Sequence, residues 1–361
     1  MFGRRCPGVS SIGMIPPLFA KEDNGMALKV GINGFGRIGR LIFRAGLDEE
    51  DLEFVAINDV ADAETLAYLL QFDSVHGGFM GEIEAKDGSI MVDGKEIEVL
   101  RERDPGKLPW SEMGVDLVIE ATGFFESREK SLPHIEGGGA KKVIITSPAK
   151  GADLTCVIGV NENLYDPQKH MVVSTASCTT NALAVPLKVI NDRLGVMKGF
   201  INTTHSYTNS QALLDSPKGK LRRSRAAAVN LVPTSTGAAR TIGLVIPELE
   251  GKMDGLAVRT PTPAGSIIDI TCQVGRESSV DEINDMLMDA SLQEGMEDVL
   301  FVANQELVSS DIVGSYYSSI IDAPSTMVLG DMVKVMAWYD NEWGYSCRVV
   351  DMALIMEEKG I

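Results

Sequence analysis

A chain of 361 residues with 44% hydrophobic and 23% charged side chains can bury a substantial core, which excludes a disordered, collagen-like or disulfide-stapled protein. Its 51 acidic residues outnumber 33 Lys and Arg; the formal charge of −18 repels phosphate backbones and argues against a nucleic-acid partner, and otherwise reads as a well-solvated surface. No run of about 18 apolar residues marks a membrane span, and the length exceeds one hydrophobic core, so two domains are expected.

Residues 1–25 are rich in Gly and Pro, carry Arg4 and Arg5, and have no acid before Glu22. Without an apolar core and cleavage site they make a weak signal peptide. They read as a disordered tail or a mis-assigned start, with Met26 directly before the first patterned strand; a short transit segment is the alternative. The five cysteines, Cys6, Cys156, Cys178, Cys272 and Cys347, are odd in number and contain no CxxC pair. Neither a disulfide framework nor a metal site is expected, and a reducing, cytoplasmic setting fits.

Residues 28–33 form a short apolar strand. Gly34-Phe-Gly36-Arg-Ile-Gly39 follows, then a helical-period run from Leu41. In this setting the glycines permit a tight turn and close approach of backbone to a pyrophosphate, and the helix N-terminus offers free N–H groups. A second strand at 53–57 ends at Asn58-Asp59. Asp59 stands 20 residues past Gly39, the spacing of a carboxylate that accepts from an adenosine ribose. It would repel the 2′-phosphate of NADP, so NAD is the expected cofactor, with NADP use the lesser alternative.

Asp62 caps a predicted helix reaching residue 72. Asp87-Gly88 and Asp93-Gly94 punctuate alternating runs between 81 and 100, read as hairpins inserted beyond the first two parallel strands. Short apolar strands follow at 116–120, 142–145 and 171–174, with a helical segment near 126–135 between the first two. Thr122-Gly123 and Thr146-Ser147 fall at strand ends, where ligands of such sheets sit.

Ser177-Cys178-Thr179-Thr180-Asn181 follows the last of these strands and opens a helix toward Leu194, interrupted or kinked at Pro186. A cysteine at a helix N-terminus has its thiolate stabilised by the dipole, and the same N–H groups suit an oxyanion. Of four histidines, His205 ends an alternating strand at 198–204, which suits either an acid and base toward Cys178 or a satisfied structural histidine. Arg259 ends a strand-like LAVR before Thr-Pro-Thr-Pro. Alternating runs at 256–258 and 267–274 predict an antiparallel sheet, Ser279-x-x-Glu282 a capping box before a helix to about 290, and 332–338 a further strand.

The blocks INGFGRIGR, SCTTN, HSYTN, LRRSRAA, PTSTGAA and WYDNEWGY occur in this order. From about Lys29 to the C-terminus the chain resembles the phosphorylating glyceraldehyde-3-phosphate dehydrogenases. The resemblance implies an α/β, Rossmann-type NAD-binding domain at 26–177, to which a helix within 341–361 returns. It implies an α+β catalytic domain at 178–340 with a mainly antiparallel sheet. Cys178 would attack the aldehyde of glyceraldehyde 3-phosphate, His205 would move the proton, and inorganic phosphate would release 1,3-bisphosphoglycerate from the acyl-thioester. Ser177, Thr179, Thr208, Arg223, Thr236, Gly237 and Arg259 would hold the two phosphates. Arg37, Ile38, Asp59, Arg103, Thr146, Asn341 and Tyr345 would contact the cofactor. The resemblance also implies a homotetramer. Rival assignments are an erythrose-4-phosphate dehydrogenase, an NADP-using carbon-fixation form and a nucleotide-binding regulator without catalysis. The chain departs from the family pattern at Ala182, where a second cysteine is common, at Ser210, where Asp is common, and at Ser216 before Pro217, where NAD users carry Leu.

Overall fold

The computed structural model describes residues 27–361; the reading of residues 1–25 falls outside them. The first half builds a nine-stranded sheet. Its strands are β1 (Leu28–Asn33), β2 (Leu52–Asn58), β3 (Ile83–Lys86), β4 (Ser89–Val92), β5 (Lys95–Leu100), β6 (Leu117–Glu120), β7 (Lys142–Ile145), β8 (Leu154–Thr155) and β9 (Val172–Ser174), in spatial order β3-β4-β5-β2-β1-β6-β7-β9-β8. The near-continuous apolar runs of β1, β6 and β7 are the parallel centre, buried on both faces. The 81–100 segment is more than an inserted hairpin pair. β5 pairs antiparallel with β4 but parallel with β2, Ile57 opposite Val99, and so continues the main sheet. Alternation shows which side of a strand is buried, not which strand lies next to it.

Around this sheet lie α1 (Arg37–Gly46), α2 (Ala63–Gln71), α3 (Arg128–Ser131) and α4 (Pro133–Glu136). Asp62 caps α2 as expected, its Oδ1 accepting from Thr65 N at 2.9 Å. The helical segment at 126–135 is split in two: Pro133 cannot continue α3 and starts α4 instead.

The second half forms an eight-stranded sheet from β10 (Val196–Ser206), β11 (Val232–Ser235), β12 (Met253–Thr260), β13 (Ser266–Val274), β14 (Leu300–Ala303), β15 (Ser319–Asp322), β16 (Met327–Leu329) and β17 (Met332–Tyr339). It is mainly antiparallel, with two parallel pairs, β10–β12 and β14–β15. Its helices are α5 (Cys178–Leu194), α6 (Ala238–Val245), α7 (Val280–Ser291), α8 (Ser309–Ile312) and α9 (Trp343–Lys359). Of the Ser279 capping box only half forms: Ser279 Oγ accepts from Glu282 N, while Glu282 pairs with Arg276 instead of reaching back.

The long α5 continues through Pro186, so of the expected interruption or kink the interruption does not occur. Proline leaves the Ala182 carbonyl without its helical donor, and Ser319 Oγ of β15 donates to it at 3.1 Å. α5 lies on β13, β15 and β17, while α9 turns back onto α1. One buried cluster runs from Ile32 and Phe43 through Leu183 to Ile268 and Met352, so both sheets share a continuous core.

Candidate active site

β1 runs into Gly34, whose φ of 95° suits glycine; a Cβ there would also meet Thr122 N at 2.7 Å. Gly39 packs α1 against the Gly34 carbonyl too closely for a side chain. Gly36 is exposed, with no atom within 4 Å of where a Cβ would stand, so backbone and helix N-terminus lie open to an anion. These three glycines fit a dinucleotide pyrophosphate. Asp59 Oδ2 accepts from Phe35 N at 2.8 Å and Oδ1 from Ala61 N at 3.0 Å, with lone pairs left for a ribose.

Arg37, Ile38, Thr122, Gly123, Thr146, Asn341 and Tyr345 line a cleft of about 720 Å³. Asn341 Oδ1 accepts from Ser266 Oγ at 2.8 Å, which leaves its NH2 as a donor. Arg103 stands on an exposed loop off the lining. Sequence reasoning missed Glu342, which lines the cleft and holds Arg37 through two hydrogen bonds of 2.6 Å. Its only signal was its place beside Asn341 in the WYDNEWGY block.

The same cleft reaches the junction of β9 and α5. There Ala176 adopts φ 56°, a costly left-handed conformation for a residue with a Cβ. Tyr345 OH donates to Ala176 O at 3.1 Å and Asn181 Nδ2 to Thr175 O at 3.0 Å, which fix the turn. The turn delivers Cys178 to the first position of α5, behind the N-cap Ser177, whose Oγ accepts from Thr180 N at 3.1 Å.

Parallel pairing of β10 and β12 sets His205 opposite Arg259. Cys178 Sγ lies 3.6 Å from His205 Nε2. His205 Nδ1 is 2.7 Å from Ser206 O and 2.8 Å from Arg259 Nη1, which also donates to Ser206 O at 2.9 Å. The carbonyl only accepts and the guanidinium only donates, so these two neighbours of Nδ1 favour opposite tautomers; with the proton on Nδ1, the Nε2 lone pair faces the thiol.

Burial pushes His205 down to about 3, and the Arg259 charge pushes the same way. Burial pushes the Cys178 thiol up, opposed by Arg259 and by the Thr179 hydroxyl and N–H. The helix N-terminus and the guanidinium stabilise the thiolate in the expected direction, but lost hydration outweighs them. Cys272 and Cys347 are fully buried and pushed up to about 12; among the described cysteines Cys178 alone is partly open.

Ser177, Cys178, His205, Thr208 and Arg259 share the cleft lining, while Thr179, Arg223, Thr236 and Gly237 lie off it. The Thr179 hydroxyl is buried against Tyr339 OH at 3.0 Å. Arg223 reaches the Thr234 hydroxyl at 3.1 Å and that of Ser210 at 3.4 Å, and Ser210 in turn meets Thr208 at 2.8 Å. Thr236 Oγ1 accepts from Ala238 N at 3.2 Å, and with Gly237 it stands at the N-terminus of α6. Arg259 Nε is buried without a protein partner.

Fold and site together define a dinucleotide-binding sheet joined to a thiol-bearing catalytic sheet. Residues 28–128 match the family model of the glyceraldehyde 3-phosphate dehydrogenase NAD binding domain, and residues 177–341 that of its C-terminal domain. Proteins named glyceraldehyde-3-phosphate dehydrogenase are similar along nearly the whole chain. That of Geobacillus stearothermophilus is 52% identical over 337 residues, 93% of this chain and 100% of its own length. One from Bacillus subtilis has the same identity and coverage, and one from Streptomyces arenae is 50% identical over 332 residues, 92% of this chain and 99% of its own. The chain belongs to the glyceraldehyde-3-phosphate dehydrogenase family.

Proposed function

We propose that the protein catalyses the NAD-dependent, phosphorylating oxidation of glyceraldehyde 3-phosphate to 1,3-bisphosphoglycerate. The observation that carries this reading is the 3.6 Å approach of Cys178 Sγ to His205 Nε2 at the end of the cofactor cleft. The residues for NAD are the Gly34–Gly39 turn for the pyrophosphate, Asp59 for the adenosine ribose, and Thr122, Thr146 and Asn341 toward the nicotinamide. When bound, NAD supplies the hydride acceptor.

His205 Nε2 takes the thiol proton as the sulfur of Cys178 bonds to the aldehyde carbon, and the proton passes to the carbonyl oxygen to give a thiohemiacetal. The free N–H groups at the start of α5 stabilise that oxygen while it is negative. As hydride leaves the carbon, His205 takes the hydroxyl proton and the carbonyl reforms as a thioester on Cys178. Inorganic phosphate then attacks; the carbon–sulfur bond breaks and Cys178 departs with the electron pair. Arg259 and Thr208 hold one phosphate, with Arg223, Thr236 and Gly237 supplying further donors along the rim.

Asp59 disfavours NADP, whose 2′-phosphate would face its carboxylate. The exposed apolar residues Phe200, Leu213, Leu214, Leu221, Val229 and Leu231 support burial between copies of the chain, which we assign to a homotetramer. The four cysteines among the described residues are free thiols, which suits the cytoplasm. Purified protein given glyceraldehyde 3-phosphate and phosphate should reduce NAD in preference to NADP, measured at 340 nm. No reduction with either cofactor refutes the reading, and reduction of NADP alone refutes the role of Asp59.

A further inference from the structure

Beneath the cofactor cleft lies a set of buried polar groups that the proposed chemistry does not use. Asn33 ends β1, in register with Asn58 at the end of β2 on one side and Glu120 at the end of β6 on the other. All three are at most 4% exposed, and His134 behind them is fully buried. Glu120 accepts four hydrogen bonds: Oε2 from Asn33 Nδ2 at 2.5 Å and from His134 at 3.2 Å, Oε1 from Thr122 N at 2.8 Å and from the Thr122 hydroxyl. The histidine tautomer is fixed, because Trp110 Nε1 can only donate and does so to His134 Nδ1 at 3.0 Å. Asn58 Nδ2 donates to Asn33 Oδ1 at 2.6 Å and to Glu102 O at 2.8 Å, and Asn58 Oδ1 accepts from Glu102 N at 2.9 Å.

Asn33, Asn58 and Glu120 each adjoin a loop assigned to the cofactor, and His134 backs Glu120 from α4. Asn33 precedes Gly34, Asn58 precedes Asp59, Asn58 grips Glu102 beside Arg103, and Glu120 orients Thr122. We propose that Asn33, Asn58, Glu120 and His134 are positioning residues that hold these four loops in one relative geometry and so set the affinity for NAD. The inference rests on the reading of the cleft as an NAD site. Buried networks of this kind have matched donors and acceptors, so one mismatch strains every loop they join.

Glu120→Gln places an NH2 where two donors already converge. The expected result is a rise of about tenfold or more in KM for NAD, with kcat and KM for the triose phosphate changed by less than about twofold. The paired swap Asn33→Asp with Glu120→Gln exchanges acceptor for donor at both ends of the 2.5 Å bond and offers the new carboxylate on β1 to His134, 3.4 Å from the amide it replaces. It should recover most of the NAD affinity, which a loss of general stability would not predict.

Calorimetric titration of the same proteins with NAD alone reads the affinity without turnover. A wild-type protein that binds NAD but oxidises no triose phosphate refutes the proposed activity and leaves the network testable. A folded Glu120→Gln protein with unchanged NAD affinity, or a swap no better than the single variant, overturns the proposal. Should Glu120→Gln fail to fold, Asn58→Ala cuts the links to Asn33 and Glu102 alone; it must weaken NAD binding, and unchanged binding overturns the proposal equally.

Discussion

Arg259 acts on both members of the reactive pair: its charge lowers the Cys178 thiol and the His205 imidazole together. With His205 down near 3, the imidazole is neutral while the thiol titrates. Arg259→Gln should therefore move the pH profile of Cys178 alkylation by iodoacetamide upward and slow the reaction at pH 7. A profile that stays in place or moves to lower pH would show that the guanidinium does not govern the thiol. Cys178→Ser should abolish turnover, and His205→Asn should slow it by about a hundredfold or more, the loss expected when a general base is removed. Steady-state rates decide both, and a near-normal rate in either variant contradicts the assigned role.

Two elements carry the reactive groups, and each is set by local chemistry. α5 begins at Cys178 because Ser177 caps it, and it survives Pro186 because Ser319 supplies the missing donor to Ala182. Ser319 is fully buried, so Ser319→Ala should leave that carbonyl unsatisfied and cost about 1–3 kcal/mol in urea-unfolding stability. Adding Pro186→Ala restores a backbone N–H to the same carbonyl, so the double variant should recover part of the loss. Additive losses would mean that the two residues do not share this acceptor. β10 and β12 are the second carrier, and their register brings His205 and Arg259 side by side.

At the scale of the whole molecule, the shared core makes the two sheets one body, with the cleft along their junction. Its outer surface is strongly acidic, yet the substrate is an anion. Arg259 on the cleft lining, with Arg223 reaching the lining residue Ser210, sets a local positive charge against the net −18, while Arg37 is paired with Glu342. The apolar residues exposed on β10 and on the 206–232 segment remain unaccounted for in a lone chain. Light scattering on the eluting peak should give a mass of about four chains of 38.9 kDa, and a monomeric mass would contradict the assembly.

Much of this was legible in the residues themselves. The glycine turn, Asp59 and the order of short strands follow from backbone freedom and apolar periodicity, which act over a few neighbours. The position of Cys178 at a helix start follows from Ser177 and the strand before it. Other features required distant parts of the chain to meet. β5 joins β2, Ser319 rescues the helix at Pro186, Glu342 grips Arg37, and Asn33, Asn58 and Glu120 converge under the cleft. The direction of the Cys178 shift also belongs here. A helix N-terminus can be read from sequence, but hydration depends on what packs around the sulfur. Local conformation and residue chemistry are written along the chain, whereas burial and cross-strand partnership exist only once strands far apart in sequence lie together.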